Sequence, residues 1–216
     1  MKPFLLVLSS PSGGGKSTIA KHLLAARDNL QYSVSATTRP PRPGEADGVA
    51  YHFLTLEEFE QRDQAGEFVE TAGYGGHRYG TLRSEVERAL TAGRHLVLDI
   101  EVAGARQVRQ AFPDSVGVFI LPPTAAVLID RLQGRDTEDD AALETRMTHA
   151  ADELLAAAEY DYVVVNDDLV AAVDRVAAIL DAEYQRVVRL PDLEERIKRI
   201  REDVEKHRNR LAGRPA

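Results

Sequence analysis

Three consecutive glycines followed by lysine and serine, in Ser10-Pro11-Ser12-Gly13-Gly14-Gly15-Lys16-Ser17, closely match the phosphate loop G-x-x-x-x-G-K-[ST]. Backbone N–H groups of such a turn, backed by a helix N-terminus, cradle the phosphates of a nucleoside triphosphate. Ser12, Gly13, Gly14, Gly15, Lys16, Ser17 and Thr18 therefore form the candidate donor site. Lys16 has the reach and charge for the terminal phosphates, and the Ser17 hydroxyl suits Mg²⁺. A second phosphate-binding signature follows at Ser33-Val34-Ser35-Ala36-Thr37-Thr38-Arg39-Pro40-Pro41-Arg42-Pro43-Gly44-Glu45. There two arginines are held in a segment whose prolines restrict the backbone. Guanidinium groups grip phosphate oxygens through paired, charge-assisted hydrogen bonds. Either arginine alone reads better as a solvated surface residue; the surrounding run argues otherwise. A nucleotide hydrolase needs only the first site, whereas a kinase with a small phosphorylated acceptor needs both.

These groups need a scaffold, and the hydrophobic pattern supplies one. Phe4 to Leu8 is a continuous apolar run of strand length, as expected of a buried parallel strand. The glycines come next, then a helical pattern from Thr18 to Arg27. Further apolar strands are predicted at Leu96–Ile100, Val116–Leu121 and Tyr162–Val165, each followed by a helical stretch: Val102–Ala111, Thr124–Gln133 and Leu169–Ala182. Alternation of this kind predicts an α/β fold, a P-loop NTPase-type parallel sheet with helices on both faces. The stretch from about Tyr32 breaks the rhythm with short polar strands, prolines and glycines. It includes one helix from Thr55, where Glu58 completes a capping box. The predicted organisation is a core of residues 1–31 and 82–184, with a lid near 134–145, an inserted subdomain over 32–81, and a helical tail over 185–216. Asp99 and Glu101 follow an apolar strand, where the strand ends of a parallel sheet border the ligand crevice. They suit magnesium or the acceptor, with helix capping the alternative. Ser10 occupies the motif's first glycine position, so the loop there is either unstrained or tolerant of modest strain.

The 216 residues suit one compact domain with a subdomain and a tail. With no cysteine, thiolate chemistry and disulfides are excluded. The net charge of −8 argues against general nucleic-acid binding. From Arg186 onward ten Lys/Arg face six Asp/Glu, a net +4 that leaves −12 for the remainder. No run approaches the roughly 18 apolar residues of a membrane span, so a soluble, cytoplasmic protein without a membrane partner is expected.

From Phe4 to about Tyr184 the chain resembles guanylate kinases. The likeness runs through Ser33-Val34-Ser35-Ala36-Thr37-Thr38-Arg39-Pro40-Pro41-Arg42-Pro43-Gly44-Glu45, Gly48, Tyr51-His52-Phe53, Phe68-Val69-Glu70, Tyr79-Gly80-Thr81, Leu98-Asp99-Ile100 and Val165-Asn166-Asp167-Asp168. The resemblance implies transfer from ATP with Mg²⁺ to GMP or dGMP, giving GDP and ADP. By matching position it implies that Arg39, Arg42, Tyr51 and Tyr79 hold the GMP phosphate. Ser35, Glu70 and Thr81 are implied at guanine, with Asp99 nearby. Arg131, Arg135 and Arg146, together with Lys16 and Arg39, are implied at the transferring phosphoryl group, and Asn166 near the donor nucleotide. Guanine offers N1–H and N2–H₂ to a carboxylate and O6 to a hydroxyl, which fits Glu70 and Ser35. Glu101 and Asp136 depart from the aspartate and glycine common in the family. Two rival readings are a non-catalytic guanylate-kinase-like binding module and a related kinase with a sugar-phosphate acceptor. The intact Lys16-Ser17 pair counts against the first, and the guanine-reading set against the second.

Beyond the resemblance, Pro191 suits a first helical turn, and Leu193, Ile197, Ile200, Val204 and Leu211 recur at a/d spacing, interrupted by His207. The predicted helix from about Pro191 to Leu211 has two readings, packing on its own chain or pairing with the same helix in a homodimer.

Overall fold

The computed structural model describes residues 1–134 and 140–213. They divide into two compact units, Pro3–Ala177 and a second made of Met1–Lys2 with Ala178–Ala216. The first unit opens with strand β1 (Leu5–Ser9) and helix α1 (Lys16–Ala26), joined by the glycine turn. Then come β2 (Leu30–Tyr32), β3 (Ala36–Thr37), β4 (His52–Phe53), α2 (Leu56–Gln64), β5 (Phe68–Tyr74), β6 (His77–Leu82) and α3 (Arg83–Thr91). The chain continues through β7 (His95–Asp99), α4 (Val102–Ala111), β8 (Val116–Leu121), α5 (Ala125–Gln133), α6 (Asp140–Leu155) and β9 (Tyr162–Val165). Helix α7 (Leu169–Tyr184) runs from the first unit into the second.

Five strands form one sheet in the order β2-β7-β1-β8-β9, every neighbouring pair parallel. This is the expected α/β architecture. Leu5 and Val7 of β1 point to one face, where they cluster with Leu96, Leu98, Val86, Ala89, Ala105 and Val108. Leu6 and Leu8, on the other face, are equally inaccessible. Burial on both faces explains why these strands read as unbroken apolar runs. β1 lies mid-sheet beside β7, so the turn after Ser9 and the acids at Asp99–Glu101 emerge at the same edge.

A second sheet has the order β4-β3-β6-β5, with β3 parallel to β4 and antiparallel pairings elsewhere. Its core is small: Ala36, Phe59, Phe68 and Leu82, with the Phe59 and Phe68 rings stacked at 4.5 Å. The predicted capping box starts α2: the Thr55 hydroxyl accepts from the Glu58 N–H, and the Glu58 carboxylate accepts from the Thr55 N–H. One element differs from the sequence-based reading, and one is additional to it. β2 belongs to the five-stranded sheet, so Tyr32 ends a core strand, and α3 follows β6 directly.

In the second unit, the end of α7 and a 3₁₀ turn at Val187–Arg189 lead into α8 (Leu193–Ala212). Arg189 and Glu183 are both buried and paired, with Nη2 donating to Oε2 at 2.9 Å, and the Lys2 N–H donates to the Arg189 carbonyl. The predicted tail helix is present as α8, starting two residues later, with Asp192 in the N-cap position. Ile197, Ile200, Val204 and Leu211 are each more than half exposed. Among the described residues no helix is long and apolar enough to cross a membrane.

Candidate active site

The phosphate loop leaves β1 at Ser9 and enters α1 at Lys16. Gly15 is the helix N-cap in the left-handed region, at φ 94°, a conformation that favours glycine. A Cβ there would lie 2.4 Å from Asn166 Nδ2, so space and backbone both require glycine. The Asn166 amide donates to the Gly14 carbonyl at 2.9 Å, and Arg131 Nη1 reaches the same carbonyl at 3.4 Å. These two residues thus brace the loop from outside. Ser10, the departure from the motif, is buried and donates its hydroxyl proton to the Pro11 carbonyl. A Cβ at Gly14 would fall 2.5 Å from Ser10 Cβ, so the serine fits because residue 14 has no side chain. The start of α1 leaves the Lys16, Ser17 and Thr18 amides without intrahelical partners, aligned with the positive end of the helix dipole.

One cleft of about 350 Å³ has this loop as a wall. Across it stand residues from the second sheet and its connections: Ser35, Arg39, Arg42, Tyr51, Glu70 and Tyr79. Asp99 and Glu101 also line it, with Lys16 Nζ 3.8 Å from Asp99 Oδ1. That oxygen is buried and has no hydrogen-bond partner.

Arg39 lies over the Tyr51 ring at 5.4 Å, and Tyr51 meets Tyr79 edge-on. Its Nη2 donates to both oxygens of Glu45 at 2.9 Å. The Arg42 N–H donates to the same carboxylate at 2.7 Å, and this bond, followed by those from Arg39, holds the Glu45 carboxyl below its ordinary range. Glu45 therefore occupies the Arg39 guanidinium, and the Arg42 backbone N–H, as an anion would. Glu70, on β5, is 4% exposed. Burial pushes its carboxyl above the ordinary range, opposed by the Thr81 hydroxyl, which donates to Oε1 at 2.7 Å. Tyr51 is likewise raised, chiefly by burial.

The cleft thus gathers Ser12 to Thr18, Ser35, Arg39, Arg42, Tyr51, Glu70, Tyr79 and Asp99. Thr81 stands behind Glu70, fully buried, and does not line it. Arg131 and Asn166 sit behind the loop, and half-buried Arg146 is carried on α6 outside the lining. Arg135 and the lid residues 135–139, Asp136 included, lie outside the described residues.

Sequence reasoning assigned no role to three residues found here. Glu45 was part of the arginine motif, and its spacing of three from Arg42 was the available signal. Glu153 of α6 accepts the Ser12 N–H at 3.2 Å, 141 residues away in sequence. Tyr74 lines the cleft from the end of β5.

Known proteins resemble this chain over most of its length. A family profile described as guanylate kinase matches residues 2–183, which excludes α8. The chain is 47% identical over 188 residues to a guanylate kinase of Symbiobacterium thermophilum, covering 87% of this chain and 89% of that one. A guanylate kinase of Thermotoga maritima is 45% identical over 198 residues, 92% of this chain and 96% of its own. Among solved structures, guanylate kinase from Anaplasma phagocytophilum superposes with a TM-score of 0.73 at 34% identity, covering 89% of this chain and 92% of that one. With a profile spanning most of its length and relatives near half identical, this chain belongs to the guanylate kinase family.

Proposed function

We propose that this protein transfers the terminal phosphoryl group of ATP to GMP, or dGMP, giving ADP and GDP. One observation carries the reading: the phosphate loop and the Arg39–Arg42–Tyr51–Tyr79 group face a single cleft, with the buried Glu70 carboxyl beside them. Phosphoryl transfer asks a protein mainly for positioning and charge neutralisation. The loop amides and Lys16 hold the donor phosphates. Arg39, Arg42, Tyr51 and Tyr79 hold the acceptor phosphate, which replaces the Glu45 carboxylate on the Arg39 guanidinium. Glu70 accepts from guanine N1–H and N2–H₂, Ser35 donates to O6, and Asp99 lies close by. Thr81 contributes by fixing the Glu70 carboxylate through its hydroxyl. Arg131, Arg135 and Arg146 neutralise the transferring group once the segment around 134–145 closes over it. Asn166 keeps the loop in shape next to the donor nucleotide.

Mg²⁺ takes one or two protein oxygens and completes its shell with phosphates and water. The exposed Ser17 hydroxyl and Asp99 Oδ1, which makes no hydrogen bond, are hard donors of that kind, so the site fits the ion. Held by Ser17 and Asp99 alongside the nucleotide, the ion would supply charge neutralisation to the donor phosphates. We assign the protein to purine nucleotide metabolism and to the cytoplasm. Residues 32–81 are assigned to GMP, residues 1–31 and 82–184 to the donor and lid. The exposed apolar stripe on α8 is assigned to pairing with a second copy. A coupled assay of ADP formation with GMP, beside AMP, tests the reading: strong activity with GMP alone is expected, and equal use of both acceptors would reject it.

A further inference from the structure

Gly104 lies within α4, where glycine is among the least favourable residues for a helix. Its backbone gives no reason for it, since its φ is outside the left-handed region. The reason is the space beside it. A Cβ at residue 104 would lie 2.4 Å from Glu70 Oε2 and 3.0 Å from Glu70 Cδ. What fills the place of the missing side chain is therefore the end of the cleft carboxylate.

Helix α4 cannot slide away to make room. Directly after Glu70, the Thr71 N–H donates to Gln107 Oε1 at 3.0 Å, and Gln107 Nε2 donates to the Thr71 carbonyl at 2.8 Å. Val69, on the other side, packs in the same apolar cluster as Ala105 and Val108. Glu70 Oε1 is tied to Thr81, so the carboxylate is held between a hydroxyl and the bare backbone of α4. A methyl group at 104 leaves only the carboxylate free to move.

We infer that Gly104 is a positioning residue for base recognition: its missing side chain sets the place of the Glu70 carboxylate and hence the preference for guanine. The inference rests on Glu70 being the guanine acceptor.

Gly104→Ala separates this role from a structural one, because alanine is the better helix former. The folded variant should keep or raise its Tm and keep its KM for ATP. Its KM for GMP should rise about tenfold, the scale of a damaged charge-assisted contact, and the GMP-over-AMP preference should fall. Glu70→Asp shortens the acid by one methylene and withdraws it from the new methyl. The double variant Glu70→Asp/Gly104→Ala should therefore bind GMP better than the product of the single effects predicts. If Gly104→Ala does not fold, restoration of folding by Glu70→Asp supports the same contact, and its failure overturns it. A folded Gly104→Ala protein with GMP KM and selectivity within twofold of the parent also overturns the inference. Glu70→Gln, run alongside, tells the two failures apart. If it too leaves GMP use unchanged, the guanine reading of Glu70 is wrong; if it impairs GMP use, only the role of Gly104 is lost.

Discussion

Replacing Glu70 by glutamine tests base recognition with little risk to the fold. The amide is nearly isosteric and its carbonyl oxygen can still accept from the Thr81 hydroxyl, now 2.7 Å from Glu70 Oε1. At 4% exposure the site already disfavours a charge, so a neutral amide should leave Tm within a few degrees of the parent. Recognition should suffer far more. The amide presents N–H₂ where guanine also presents donors, so a charge-assisted contact of about 1.5–3 kcal/mol is lost. At about 1.4 kcal/mol per factor of ten, kcat/KM for GMP falls roughly 10- to 150-fold. AMP moves the other way. Adenine has no donor at N1 or C2 and leaves the parent carboxylate desolvated and unpaired, at about 1–3 kcal/mol. The variant lacks that penalty, so the GMP:AMP ratio should narrow by at least about 50-fold. Steady-state kinetics with both acceptors at saturating ATP, with Tm measured in parallel, gives the answer. A folded variant with an unchanged ratio refutes the reasoning and places guanine recognition elsewhere in the cleft.

Lys16→Ala should lower turnover by orders of magnitude while GMP affinity, measured by calorimetry, stays near the parent value; Arg42→Ala should chiefly weaken GMP binding. Glu70 has its carboxyl raised by burial, so lowering pH should protonate it before an exposed carboxylate near 4.3. KM for GMP should then rise with acid, and Glu70→Gln should flatten that limb. The same shift has the opposite sign for stability: a raised folded value favours the neutral form, so its contribution is full below the unfolded pKa and is lost as pH rises through the folded one. Removal of the chain after Arg189 should spare the kinase reaction and lower the mass found by light scattering; an unchanged monomeric mass would rule out pairing through α8, and lost activity would show that the tail serves the reaction.

Much of the fold was legible because buried parallel strands are nearly all apolar. β8 and β9 match their predicted bounds, and β1 and β7 differ by one residue. β2 was not legible: Leu30-Gln31-Tyr32 is three residues long with one buried, too short for any periodicity. In the cleft, the loop was readable because its glycines and the Lys16-Ser17 pair are contiguous in sequence. Contacts between distant segments were not. Nothing around Glu153 says that it accepts the Ser12 amide, and nothing around Gly104 says that Glu70 fills its space. Thr81 illustrates the intermediate case, since resemblance implied it at guanine and in the structure its hydroxyl donates to Glu70.

The central claim is that one cleft joins a nucleoside triphosphate to GMP for direct transfer. Incubation of the full chain with γ-labelled ATP, Mg²⁺ and an equal mixture of GMP and AMP tests it most directly. Label should appear in GDP in proportion to ADP formed, and Lys16→Ala should abolish it. Label in inorganic phosphate, or shared equally between GDP and ADP, would contradict the account.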